Sequence, residues 1–183
     1  MIQQRLFALS VVLLFCVIGF VHAQTHPGAP YAVYVATFSG QAEVTASVKT
    51  DYVVIVFAMP GGGYDYVIDV ENFTFSGDCQ DISAVTLEGM VNAVADDAIA
   101  VGVAAGYPAC STASFVQSVH IWTVSCAERS GSACQTSFTP CGTNWCYRTY
   151  AVSCPGNGLS ATITSAGGTA SSCAQCSGEE ACP

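Results

Sequence analysis

Apolar and polar positions alternate with a period of two along most of this chain, a pattern that predicts strands rather than helices. The runs "YAVYVATF" (31–38), "AEVTASVKT" (42–50) and "YVVIVFA" (52–58) are rich in β-branched and aromatic residues, which pack well on a pleated surface. "PGGG" (60–63) interrupts the third run. In "YDYVIDVENFTF" (64–75), Tyr64, Tyr66, Ile68 and Val70 share one face and Asp65, Val67, Asp69 and Glu71 the other. That describes a half-buried antiparallel strand with an acidic solvent face. "ISAVTLEG" (82–89) reads as another strand. "MVNAVADDAIAVGVAAG" (90–106) has the Ala content of a helix, but Val and Ile surround the Asp96–Asp97 pair. The expectation is two strands joined by a tight turn there.

Two further runs, "SFVQSVHIWTVSC" (114–126) and "WCYRTYAVSC" (145–154), share an aromatic residue four positions before a terminal "VSC", at a shift of 28 residues. An even separation puts ring and sulfur on one face, so Trp122 and Tyr150 are expected together over the cysteines. "LSATITSA" (159–166) follows a turn marked by Asn157–Gly158. The pattern as a whole predicts an all-β fold: an antiparallel β-sandwich of about nine or ten short strands with a disulfide-rich C-terminal third.

The first residues change the picture by placing the chain in a compartment. "MIQQRLFALSVVLLFCVIGFVHA" has one Arg, an apolar run from Leu6 to Val21 and a small Ala23 before Gln24. This is the layout of a secretory signal peptide over 1–23, and the run is shorter than the roughly 20 residues of a spanning helix. The expected organisation is then a β-sandwich domain over 24–166 and a Gly/Ser/Cys-rich tail over 167–183, stapled to it. No later run has membrane length. Beyond the leader, Lys49, Arg129 and Arg148 are the only basic residues against thirteen acidic ones. Such a surface does not neutralise phosphates, so no nucleic-acid partner is expected and anionic membranes are poor partners.

Ten of the eleven cysteines follow the leader: Cys79, Cys110, Cys126, Cys134, Cys141, Cys146, Cys154, Cys173, Cys176 and Cys182. In an exported chain an even number reads as a disulfide framework. Cys79 and Cys110, apart from the rest, are the expected pair by proximity, with local pairing inside the C-terminal cluster. "CAQC" (173–176) has no second pair and no histidines at zinc-ligand spacing. It also does not open a helix after a strand, as a redox pair would. No cofactor is implied.

Candidate chemistry is thin. His26 lies near the expected new N-terminus, and His120 sits mid-strand between Val119 and Ile121, where a structural role is the ordinary one. There is no nucleophile elbow and no phosphate loop. Asp65, Asp69, Asp78 and Asp81 are weak calcium candidates, since cation sites draw on converging loop oxygens rather than a flat strand. "NFT" (72–74) makes Asn72 a glycosylation acceptor in a eukaryotic host. Trp145, in the loop-to-strand passage "CGTNWC", and the neighbouring Tyr147 are the candidate ligand-binding aromatics.

These features point first to a non-catalytic secreted or cell-surface protein, an extracellular structural or assembly subunit held by disulfides. Self-association by β-strand addition through residues 24–38 is the specific form expected. A carbohydrate-binding or adhesion module is the second reading, with glycan as ligand, and a secreted hydrolase the third.

Overall fold

Residues 87–104 break the period of two, and they organise the molecule. The computed structural model describes residues 32–110, 116–153, 159–168, 173 and 177–182. The expected leader, His26, Cys154, Cys176, the Asn157–Gly158 turn and residues 24–31 lie outside them. The described residues belong to one compact unit, 31–183.

Helix α1 spans Leu87–Ala104. Thr86 holds extended backbone and its hydroxyl accepts from Gly89 N at 3.1 Å, capping an otherwise unpaired donor, and Glu88 lies at the positive end of the helix. Leu87, Met90, Val91, Val94, Ala98 and Ile99 recur at three- and four-residue steps and are buried. The helix stops where Gly106 takes φ +93°. There Tyr107 N bonds Gly102 O at 2.8 Å and Gly106 N bonds Val103 O at 3.0 Å, the two bonds of a Schellman ending. The hairpin expected across Asp96–Asp97 is therefore a helix. The propensity cost of Val and Ile, a few tenths of a kcal/mol each, is small beside the ~1.5–3 kcal/mol gained by burying each large apolar side chain.

The strands are β1 (Val33–Glu43), β2 (Val48–Ala58), β3 (Tyr64–Ile68), β4 (Thr74–Gly77), β5 (Val116–Val124), β6 (Cys126–Ser130), β7 (Ser137–Pro140), β8 (Trp145–Ser153), β9 (Ser160–Gly168) and β10 (Glu179–Glu180). Seven form one sheet in the order β1-β2-β3-β5-β8-β9, with β4 also paired to β2; β10-β6-β7 form a small second sheet. All pairings are antiparallel except β3 with β5, which run parallel and are connected through α1. The architecture is thus mixed α/β, with α1 on one face of the large sheet, and not the expected all-β sandwich. Tyr52, Val54, Val56, Tyr66, Ile68, Val119, Ile121, Tyr150 and Val152 form the sheet's side of the core.

Several expected strands are redrawn. The run 42–50 is divided: 42–43 end β1, 44–47 are the β1–β2 turn, where Thr45 Oγ1 accepts from Val48 N at 3.0 Å, and 48–50 begin β2, so three short strands become two of eleven residues. The run 64–75 is split. β3 ends at Ile68, Asp69 caps a 3₁₀ turn over Val70–Asn72, and β4 returns to pair with the start of β2. Its acidic solvent face fails at Asp65, which is fully buried in a central strand. Residues 82–84 end a 3₁₀ helix, Cys79–Ala84, that leads into α1. Trp122 and Tyr150 are on opposite faces, because Trp122 pairs with Tyr147 and Val119 pairs with Tyr150.

Three disulfides connect described residues: Cys79–Cys134, Cys126–Cys173 and Cys146–Cys182, with Cα–Cα distances of 5.2, 5.8 and 5.7 Å. Cys110 and Cys141 are also disulfide-bonded. The expected Cys79–Cys110 pair is replaced by Cys79–Cys134, because α1 carries the chain away after Cys79 and the turn at 133–135 brings Cys134 back to β4 and the 3₁₀ helix. Cys173 and Cys182 attach the C-terminal residues to β6 and β8.

Candidate functional site

Register fixes what lies on the face of the large sheet opposite α1. One row crosses Thr37, Ile55, Val67, Trp122, Tyr147 and Gly167 from β1 to β9; the next crosses Tyr34, Phe57, Asp65, His120, Thr149 and Ser165. Within each row neighbours are one strand apart. Between rows the spacing is two residues along a strand, roughly 6.6 Å.

The ionisable centre of this face is a pair. His120 Nδ1 lies 2.9 Å from Asp65 Oδ1, with the Asp65 side chain fully buried and the His120 side chain 34% exposed. With Nδ1–H donating to the carboxylate, the imidazole is held in one tautomer and Nε2 is left as its acceptor. The residue opposite His120 on β8 is Thr149. In the adjoining row the Trp122 and Tyr147 rings lie 4.7 Å apart, tilted by 38°, and the His120 and Tyr147 rings meet edge-on at 6.2 Å. Gly167 makes room for this arrangement: a Cβ there would fall 2.9 Å from the Tyr147 hydroxyl.

The other sequence candidates are dispersed. Asp69 caps the 3₁₀ turn through Glu71 N at 3.0 Å and accepts from Asn72 Nδ2 at 3.0 Å. Asp78 caps the 3₁₀ helix through Gln80 N, and Asp81 is exposed in its first turn. Among the described residues no three His, Cys, Asp or Glu side chains converge as metal ligands. Asn72 is exposed at the end of a turn rather than inside a strand. Trp145 is partly buried against the core, whereas Tyr147 stands beside Trp122 on the face opposite α1. The sequence offered no local signal for the Asp65–His120 pair, since 55 residues and a parallel crossover separate its members.

A second feature is the pair of open sheet edges, β1 and β9. Every residue of β9 is exposed except the half-buried Gly167. Ile163 is 48% exposed on β9, and Val33 and Tyr34 are 65% and 60% exposed on β1. Among the described residues no helix is long and apolar enough to cross a membrane.

Comparison with known proteins finds no matching family model, no matching curated protein and no matching solved structure.

Proposed function

We propose that the chain is an exported, non-catalytic assembly subunit whose β9 edge accepts the β1 edge of a second copy, extending one sheet into the next. The observation that carries this reading is the character of β9. Its sequence, "SATITSAGG", has nine residues with no charge and no proline, almost all exposed and, among the described residues, paired on one side only. Sheet proteins that stay monomeric blunt such edges with Lys, Pro, strong bulges or a covering element; here the single irregularity is a register shift opposite Thr149/Tyr150. β1, of eleven residues, bears its one charge at its last residue, Glu43. Joining two different edges is heterologous, so it builds a head-to-tail series of copies, open or closed into a ring according to the rotation between neighbours. Residues 33–38 already pair with β2 in their own chain, so the reading uses the free side of β1 rather than a loose donor arm. The disulfides support an oxidising, extracellular location.

Sedimentation velocity over a concentration series tests the reading. The wild-type chain is expected to form species beyond the dimer, and either Ile163→Lys on β9 or Tyr34→Lys on β1 to return it to monomer. A wild type that sediments as a monomer throughout overturns the reading. A closed dimer abolished by Ile163→Lys alone overturns the β1-to-β9 arrangement.

A further inference from the structure

Charge and apolar exposure are segregated to opposite ends of the large sheet. Register gathers the start of β1, the end of β2, the start of β3, the start of β5, the end of β8 and the start of β9 at one end. Val33 pairs there with Ala58, Ala58 with Tyr64, Val116 with Ser153 and Ser153 with Ser160. The C-terminus of α1 reaches the same end, where the Tyr107 and Tyr64 rings meet edge-on at 6.0 Å. Val116 is 71% and Leu159 41% exposed here, beside the exposed Val33, Tyr34 and Val35. Asp, Glu, Lys and Arg are absent from 33–42, 52–64, 98–110, 116–127, 149–153 and 159–168. Charged residues instead mark the other end: Glu43 closes β1, Lys49 opens β2, Asp69 follows β3, Asp78 follows β4 and Glu88 opens α1. Single exposed aliphatics are ordinary, but several gathered on a charge-free end mark a surface that is covered in use.

We propose that this end seats on an uncharged lipid surface, with Val33, Val35, Val116 and Leu159 among the acyl chains and Tyr34, Tyr64 and Tyr107 at headgroup level. Three features favour lipid. A ring that ends in a hydroxyl suits the boundary between hydrocarbon and water, and three such rings accompany the aliphatics. The turn joining β2 to β3 closes on itself: Met59 N bonds Gly63 O at 3.2 Å, Gly62 N bonds Met59 O at 3.1 Å, and Pro60 has no N–H. Its backbone donors are therefore largely satisfied before any apolar surface covers them. A Cβ at Gly61 or Gly62 would meet nothing within 4 Å, so the turn stands clear of the rest of the chain, and a fluid surface conforms to projections of this kind. Charge decides the lipid class. Thirteen acidic residues against three basic ones beyond the leader repel an anionic membrane, whereas a zwitterionic one meets a neutral end with the acids held away from it. The inference relies on export only in removing residues 1–23, and is independent of edge pairing, since it concerns strand ends and not the free side of a strand.

Flotation with phosphatidylcholine vesicles tests it. The chain is used without residues 1–23, because their apolar run would itself bind lipid. The protein is expected to float with the vesicles. Vesicles that also contain phosphatidylserine are expected to bind it more weakly at low salt, with the difference closing as salt is raised. Val116→Asp and Leu159→Asp are each expected to weaken binding about tenfold or more, since burying one such side chain is worth at least that factor. Both positions are exposed, so the near-ultraviolet circular dichroism bands and thermal midpoint of these variants should match the parent. Val116→Trp is expected to gain emission that lipids brominated along their acyl chains quench. No flotation at millimolar phosphatidylcholine overturns the proposal, and so does undiminished binding by the Val116→Asp, Leu159→Asp double variant or a preference for the anionic vesicles. An assembly in lipid-free solution that the double variant dissociates would assign this end to a second copy, and overturns it as well.

Discussion

The Tyr52 hydroxyl donates a 2.6 Å hydrogen bond to Asp97 Oδ2, joining β2 to the middle of α1. Its neighbour Asp96 accepts from Tyr150 of β8 at 3.1 Å. Two successive helix carboxylates thus hold strands on either side of the sheet's centre. Hydrogen bonds to charged groups contribute about 1.5–3 kcal/mol. Tyr52→Phe and Asp97→Asn are each expected to lower unfolding stability by about 1–3 kcal/mol. The double variant should cost less than the sum, because the two residues share one interaction. Urea denaturation of the four-member cycle measures this; strict additivity would show that the bond carries no coupling.

These tyrosines also set the alkaline limit of the fold. Burial, reinforced by the adjacent Asp96 carboxylate, pushes the Tyr150 hydroxyl up to about 12. Burial and the Asp97 bond raise Tyr52 further, and burial with nearby Tyr64 raises Tyr66. The folded chain therefore keeps phenolic protons that the unfolded chain releases near pH ~10. Stability from this source is complete below about pH 10 and is lost as pH rises towards and through the folded values. The denaturation midpoint is expected to fall between about pH 10 and 12, with a shallower fall in Tyr150→Phe. A midpoint flat across that window would refute the linkage.

Strand propensity made much of the sheet legible, because β2, β5 and β8 are long, rich in β-branched and aromatic residues, and alternate. Helix α1 was obscured by its own composition. Val, Ala and Ile occur around much of its circumference and the mid-helix Asp pair mimics a turn. Its ends were nevertheless written plainly: Thr86 before an acidic first turn, and Gly106 two residues before Pro108. Asp65 shows a different limit. Alternation put it opposite Tyr64 and Tyr66, which is right, but whether that face meets solvent depends on β5 lying alongside, and no local pattern encodes a neighbour brought in by a crossover. The candidate site was half legible: Tyr147 stood out as an exposed-aromatic candidate, while its neighbours on the face, Trp122, His120 and Thr149, follow only from register.

Close approach of helix and sheet rests on Gly102. A Cβ there would overlap the Tyr66 hydroxyl and lie 2.7 Å from its Cζ, and Tyr66 is fully buried. Helix propensity alone favours Ala by about 1 kcal/mol, whereas overpacking a rigid core costs about 1–3 kcal/mol. Gly102→Ala is therefore expected to destabilise. Among the described residues the Tyr66 hydroxyl has no hydrogen-bond partner, so Tyr66→Phe should be close to neutral or slightly stabilising, and should recover part of the Gly102→Ala loss. Thermal denaturation of the three variants settles the order. A stabilised Gly102→Ala would mean that propensity outweighs the overlap.

Peptide mapping under non-reducing conditions checks the covalent frame. A fragment joining Cys79 to Cys134 is expected, and none joining Cys79 to Cys110. The bond closes a separation of 55 residues, for which chain entropy gives about 4 kcal/mol. Replacing both cysteines by Ser should lower stability by roughly that amount while leaving the α1 helical signal in place at low temperature.

The start of α1 is held by a residue from the far end of the chain. Glu179 Oε2 accepts from Leu87 N at 2.9 Å, in the first turn, and from Arg129 Nη2 at 2.8 Å. Arg129 also bonds the carbonyls of Ile82 and Val85 and lies 5.2 Å from the Phe138 ring centroid. A planar five-donor head is needed for this set, and Lys cannot supply it. Arg129→Lys should keep the charge yet lose most of the stabilisation, and Arg129→Ala should cost about 2–3 kcal/mol, below the range for a fully buried pair because these side chains are 18% and 35% exposed. Hydrogen exchange gives the decisive reading. In Arg129→Ala, protection is expected to fall first at the amides of Leu87 and Ala181, while β2 and β5 keep theirs. Uniform loss across the sheet would show that the cluster serves the whole core rather than this junction.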